Sequence, residues 1–281
     1  MKKLLKVLMA GLLAVSTLAC FTACKEKDDT IYVDTNAFFA PFEYYDGTVI
    51  KGVDVDIMNM VGEKLGKKVV IENTEFDVII DNVASGKQYD CGAAGITITD
   101  ARREKVDFSN PYFTSIQYVI YKANNTNVTV STASDGVSCV FWDDLMNMKI
   151  GVQRDTTGHI YADIEMNGDG PEYPGELNGT TGTLNPYDTA QLAVDAIGAN
   201  QIDVVIVDKL PAEFIVSKNS GYVCKPLYYD GATEDAPTVE QYAICVTKGN
   251  TELLNAINAV LAELGEEGIN ALVSKHLGLE D

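Results

Sequence analysis

The chain predicts an α/β fold with mostly parallel sheets. Two observations carry this: short β-rich runs alternate with helical spacings of apolar residues, and they do so in two separate clusters. In the first cluster, residues 30–34 form a β-rich run, and a turn-rich stretch then reaches Gly52. Val55, Ile57, Met58, Val61 and Leu65 recur at helical spacing, predicting a helix over 53–65 that Gly66 terminates. A strand over 68–71, a helix over 76–84 and a strand over 89–94 follow. The β-rich run 115–122 then leads into a polar Asn/Thr/Ser stretch. In the second cluster, the strand 149–152 precedes a helix over 157–164, and the helix 188–199 precedes a strand over 202–207. A helix over 210–217 leads to the strand 222–227. Between these, residues 167–187 are rich in glycine (Gly168, Gly170, Gly175, Gly179, Gly182) and read mostly as a loop. The tail offers a strand over 241–247 and two helices, 253–264 and 269–277, free to return to the first cluster.

The N-terminus reads as an export signal. Lys2, Lys3 and Lys6 precede a charge-free apolar run from Val7 to Ala23, and small residues crowd its end. Phe21-Thr22-Ala23-Cys24, followed by Lys25-Glu26-Lys27, resembles a lipoprotein signal whose cysteine is diacylated, by palmitate for example. Cys24 suits that pattern best, with Cys20 the runner-up. Two acyl chains anchor a protein to a membrane far more firmly than one. The expectation is a signal peptide over 1–23, a tether over 24–29, and an extracytoplasmic chain held to the membrane by lipid alone.

Removing residues 1–23 takes three lysines from 21 basic residues set against 41 acidic ones. The remainder carries about −23, a balance that excludes nucleic acid as a partner, since phosphate contacts need a basic face. An apolar content of 46% is normal for a packed chain. Cys91, Cys139, Cys224 and Cys245 could pair in an exported protein, but their spacing identifies no pairs. There is no CxxC, and His159 and His276 are the only histidines, so neither a metal site nor a cofactor is expected.

The segment Gly95-Ile96-Thr97-Ile98-Thr99-Asp100-Ala101-Arg102 is the most informative about chemistry. Gly95 permits close approach to the backbone. Thr97 and Thr99 share one face of an extended segment, and Thr99 or Asp100 can cap a helix that follows. Arg102 then falls in a first helical turn, where a cation is unfavourable without an acidic partner. A ligand carboxylate would supply that partner, gripped by the guanidinium fork and the Thr97 hydroxyl. The plainer reading is a capped turn with a solvated arginine.

Ala40-Pro41-Phe42-Glu43-Tyr44, Gly52-Val53-Asp54-Val55-Asp56 and the segment Gly95 to Arg102 stand in this order, followed by Val106-Asp107-Phe108-Ser109-Asn110-Pro111-Tyr112. From about residue 30 to the C-terminus the chain thereby resembles the polar amino acid-binding proteins of ABC importers, the family-three extracellular solute-binding proteins. The resemblance implies a two-lobed periplasmic-binding-protein-like fold of type II, with the ligand in the cleft between lobes. It implies lobe one over 30–113 and 241–281, with lobe two, including the hinge strands, over 114–240. Phe39 and Phe76 match the aromatics that sandwich the ligand, although each alone is more often a core residue. Ala94 and Gly95 match the positions that receive the α-ammonium, and Thr97 and Arg102 those that hold the α-carboxylate. Thr157 matches a contact that completes the carboxylate site, in a loop where Asp155 replaces the family's usual glycine. Asp208 matches the acid that pairs with the ammonium; its other reading is a cap for the helix that follows. Asn36 stands where members taking basic or amide side chains often carry an acid, and Asn36 and Gln153 offer amide hydrogen bonds. A neutral polar amino acid is therefore the expected ligand, delivered to importer permease subunits, with no catalysis. A dehydratase-like enzyme or a sensor module on the same fold are the alternatives. An enzyme would need a positioned acid or base, and His159 is the one histidine close to these segments.

Overall fold

A computed structural model describes residues 29–231 and 233–279. The expected signal peptide, the tether to residue 28, Cys20 and Cys24 lie outside the described residues. The rest forms two α/β lobes, each built on its own sheet.

Lobe one holds a five-stranded sheet ordered Lys68–Asn73, Thr30–Thr35, Cys91–Gly92, Cys245–Val246, Asp107–Phe108. Its first three strands are parallel, with Val33 opposite both Ile71 and Cys91. The helix Val53–Leu65 buries Val53, Val55, Ile57, Met58 and Val61, and it ends where Gly66 turns left-handed at φ 65°. It packs against the C-terminal segment Thr251–Leu277, in which two helices meet at a kink at Gly265 (φ 57°), in keeping with the two helices expected there. The stretch read as turn-rich carries a small antiparallel sheet, Phe38–Phe39, Glu43–Asp46 and Val49–Lys51. The expected strand 89–94 is reduced to Cys91–Gly92.

Lobe two holds a nine-stranded sheet. Its centre runs Thr183–Tyr187, Lys149–Gln153, Val204–Asp208, then Phe113–Lys122 and Tyr222–Tyr229. Thr183–Tyr187, Lys149–Gln153 and Val204–Asp208 are parallel, whereas Phe113–Lys122 runs against its neighbours, so both sheets are more mixed than the alternating pattern suggests. Every residue of Val204–Asp208 is buried, as a central strand covered on both faces should be.

Residues 167–187 are more ordered than a loop. Thr183–Tyr187 is an edge strand, and the preceding turns gather on Glu165, a buried carboxylate that accepts from the Tyr173 hydroxyl (2.7 Å) and the Glu176 N–H (2.9 Å).

The run read as one strand, 241–247, divides between the lobes. Val239–Tyr242 pairs antiparallel with Phe113–Lys122, and Cys245–Val246 returns to the sheet of lobe one. These two crossings set the lobes face to face across a cleft.

Candidate functional site

The lobes close on a narrow cleft lined by Asn36, Phe39, Phe76, Gly95, Thr97 and Arg102 from lobe one. Gln153, Thr156, Thr157 and Asp208 line it from lobe two. Nine of the ten residues singled out in the sequence therefore meet at one place. The tenth, Ala94, is buried beside Gly95 in a small core with Ile79 and Ile96.

Arg102 is not a solvated arginine. Thr99 caps the short helix Asp100–Arg103 by accepting from the Arg102 N–H (3.2 Å), which settles the choice between Thr99 and Asp100. The cap turns the Arg102 side chain inward, where it is 9% exposed. One guanidinium nitrogen donates to the Thr97 carbonyl (2.8 Å) and the other to the Asp155 carbonyl of lobe two (2.7 Å). The Phe76 ring lies 5.5 Å beneath. Burial lowers the Arg102 pKa, opposed by the nearby Glu240, Asp155 and Asp208.

Asp155 adopts the backbone conformation its neighbours need. Its φ of 56° lies in the left-handed region that glycine favours and that aspartate tolerates. The Asp155 N–H donates to His159 Nδ1 (3.1 Å), so the histidine near the cleft is engaged in holding this loop. Thr156 caps the helix Thr157–Asn167, accepting from the His159 N–H (3.4 Å), and the N-terminus of that helix opens on the cleft. Such an end presents unpaired N–H groups to an anion.

Gly95 does more than admit a ligand. At φ 53° a Cβ would stand 2.8 Å from the Phe39 ring, so the missing side chain lets that aromatic rest on the backbone. Asp54 fixes the same turn, accepting from the Gly95 N–H (2.9 Å) and the Tyr112 hydroxyl (2.5 Å). Burial raises the Asp54 pKa to about 6.

Asp208 stands at the N-cap position of the helix Lys209–Ser217, but its side chain makes no capping bond. It accepts instead from the Tyr242 hydroxyl (2.5 Å). Burial first, then the neighbouring Glu240, push the Asp208 carboxyl well above the usual range.

Glu240 is the residue the sequence reading missed. Buried on the returning strand, it accepts from the Thr97 hydroxyl (2.6 Å), the Thr157 hydroxyl and Gln117 Nε2 (2.5 Å). The Thr97 hydroxyl, expected to face a ligand carboxylate, thus directs its single proton to Glu240. At the other end Gln153 Nε2 donates to Asn36 Oδ1 (2.9 Å), and Asn36 Nδ2 to the Thr74 carbonyl (2.7 Å). Gln153 Oε1 is buried with no hydrogen-bond partner. Among the described residues no group of histidine, cysteine and acid side chains could hold a metal ion, and Cys91, Cys139, Cys224 and Cys245 are free thiols.

Two sheets joined by crossing strands, with a polar cleft between them, define the class of two-lobed solute-binding proteins. Residues 31–278 match the bacterial extracellular solute-binding proteins, family 3, and the chain belongs to that family. Membership places it among extracytoplasmic binding proteins rather than enzymes. It is 25% identical to the L-cystine-binding protein TcyJ of Escherichia coli, over 97% of this chain and 95% of that protein. It is 26% identical to the arginine-binding extracellular protein ArtP of Bacillus subtilis, over 95% and 94%. Among solved structures, the arginine-bound ArgBP of T. maritima superposes with a TM-score of 0.67 at 28% identity, covering 84% of this chain and 96% of that one. An ancestral arginine-binding protein bound to glutamine gives 0.69 at 29% identity, covering 89% and 98%. No helix among the described residues is long and apolar enough to cross a membrane.

Proposed function

We propose that this chain captures a free amino acid between its lobes and delivers it to the permease subunits of an ABC importer, anchored by a lipid on Cys24, with Cys20 the second choice. The observation that carries the reading is the opposed pair of buried charges: Arg102 from lobe one and Asp208 from lobe two line one cleft. A zwitterion satisfies both, its carboxylate against the guanidinium and its ammonium against the acid. Neither protein charge is then left buried and unpaired. Phe39 and Phe76 would flank the aliphatic part of the ligand. Lobe one would comprise 30–113 and 241–281, and lobe two 114–240, closing as a hinge when ligand favours the closed population.

For the side chain, Asn36 and Gln153 supply amides and no charge, and Gln153 Oε1 is free to accept. This favours a neutral polar side chain with an N–H or O–H donor. The names of the relatives, which bind arginine or cystine, point to the same amino-acid class with other side chains. A thermal-shift screen against the common amino acids tests both levels. A ligand at 100 times its Kd should stabilise the chain by about 2.7 kcal/mol. Glutamine, asparagine, serine or threonine should shift the midpoint most. Arginine or lysine ahead of them would overturn the side-chain reading, and no response to any amino acid would overturn the capture reading itself.

A further inference from the structure

The end of the strand Lys149–Gln153 and the loop after it reach lobe one with three residues in a row. Gln153 Nε2 donates to Asn36 Oδ1, and the Asp155 carbonyl accepts from Arg102. Between them Arg154 Nε stands 3.7 Å from the Asp77 carboxylate. The two outer contacts use Asn36, Gln153 and Arg102, side chains that line the cleft. The middle one does not. Successive side chains leave an extended segment on opposite sides, so Gln153 turned into the cleft turns Arg154 out of it. Arg154 lies in a notch with Glu75, Phe76, Asp77 and Asp188, which shares only Phe76 with the cleft.

Local structure on each side prepares this pair. Asp77 stands in the first turn of the helix Phe76–Ser85, where a carboxylate is favoured by the free N–H groups. The Arg154 N–H donates to the Tyr187 carbonyl (2.8 Å), and a second guanidinium nitrogen lies 3.5 Å from Asp188. Tyr187 and Asp188 belong to lobe two, so the arginine is oriented from within its own lobe. Among the residues lining the notch, Arg154 is the cation, and Glu75 and Asp77 are the acids that lobe one brings to it.

We propose that Arg154 and Asp77 form a latch between the lobes that sets how long a captured amino acid is held, without choosing which one. The inference rests on the hinge-closure reading above. Release requires the lobes to part, and parting takes Asp77 from Arg154 while leaving it Asp188. The pair lies outside the cleft, so it favours the closed state equally for every ligand and acts as a positioning pair. Asp77 and Arg154 side chains are 28% and 42% exposed, which limits the effect to about two- to fivefold in release rate. The same exposure makes the latch sensitive to salt.

The test loads the chain with a radiolabelled amino acid, chases it with excess unlabelled amino acid, and counts the retained label by rapid filtration. The probes are the two among L-glutamine, L-asparagine, L-arginine and L-histidine that raise the melting temperature most. Asp77→Asn and Arg154→Gln should each speed release of both probes by about two- to fivefold and leave their order of affinity unchanged. The double variant should release no faster than either single one, because both remove the same contact. Raising NaCl from about 0.1 M to about 1 M should speed release from the unaltered chain more than from either variant. A merely structural role would lower the melting temperature of the empty chain and leave release and its salt dependence alone. Unchanged release in both variants, additive effects in the double variant, or a salt response equal in all chains would overturn the latch alone. Absence of binding of all four amino acids to the unaltered chain would overturn the amino-acid reading and the latch with it.

Discussion

The two ends of the cleft are built differently. At one end Arg102, Thr97, Thr157, Asp208 and Glu240 form a network in which charges are opposed and nearly every polar atom is bonded. At the other end the Asn36 and Gln153 amides bridge the lobes by one hydrogen bond and leave an acceptor free. The first arrangement suits a group every amino acid carries, and the second suits a group that varies. Invariant recognition is rigid and charged, while selective recognition rests on a few neutral contacts.

The contrast can be broken most decisively at Arg102. Arg102→Ala should cost about 2–5 kcal/mol of binding, because it strands a desolvated carboxylate. Calorimetry returning wild-type affinity would remove the charged end from the account.

The acids behind that end should also show in stability. The Asp54 carboxyl is raised to about 6 by burial, so its protonated form is favoured by folding. That contribution is fully present below the ordinary aspartate value near 4 and is lost as pH rises through about 6. Asp54→Asn, which cannot ionise, should gain on the unaltered chain by about 1.4 kcal/mol per pH unit across that window. Urea unfolding at a series of pH values measures it, and a flat difference would contradict the burial of a titrating acid.

Gly95→Ala acts on the Phe39 ring. Its Cβ would press on the Phe39 ring at a left-handed backbone angle, for a loss of about 1–3 kcal/mol in folding stability. An unchanged urea midpoint would mean that Phe39 is free to move aside.

The smallest effect belongs to the selective end. Gln153→Leu should weaken the best ligand by about 0.5–1.5 kcal/mol, one neutral hydrogen bond, and should reorder the preferred amino acids. If the ranking of amino acids in a thermal-shift screen stays the same, selectivity resides elsewhere than Gln153.

The legibility of the site in the sequence follows the range of the interactions involved. The helix Val53–Leu65 and its Gly66 stop are local, set by spacing and one left-handed residue, and they were readable as such. The Thr99 cap that turns Arg102 inward is equally local. Glu240 was not readable, because its role depends on register with a strand about 120 residues earlier, where it faces Ser115. The run 241–247 offered continuous apolar character and no sign that it changes sheets near Ala243. The glycines of 167–187 signalled turns correctly but concealed Glu165, whose buried carboxylate gathers those turns into a fixed shape. In the cleft, motif order supplied the residues that line it; the acid behind them came only from the crossing of the chain.

That crossing also bears on modular design. The chain leaves for lobe two along Phe113–Lys122 and comes back along Val239–Tyr242, and Phe113 stands opposite Tyr242 in that ladder. Entry and exit are therefore neighbours, in the manner of a domain spliced into a host at a single point. A two- to five-residue hairpin turn could join Phe113 to Tyr242 directly. The lobe-one sheet and its two long helices could then be prepared as a free-standing unit, offering Phe39, Phe76 and Arg102 on an open face for grafting to a different partner lobe.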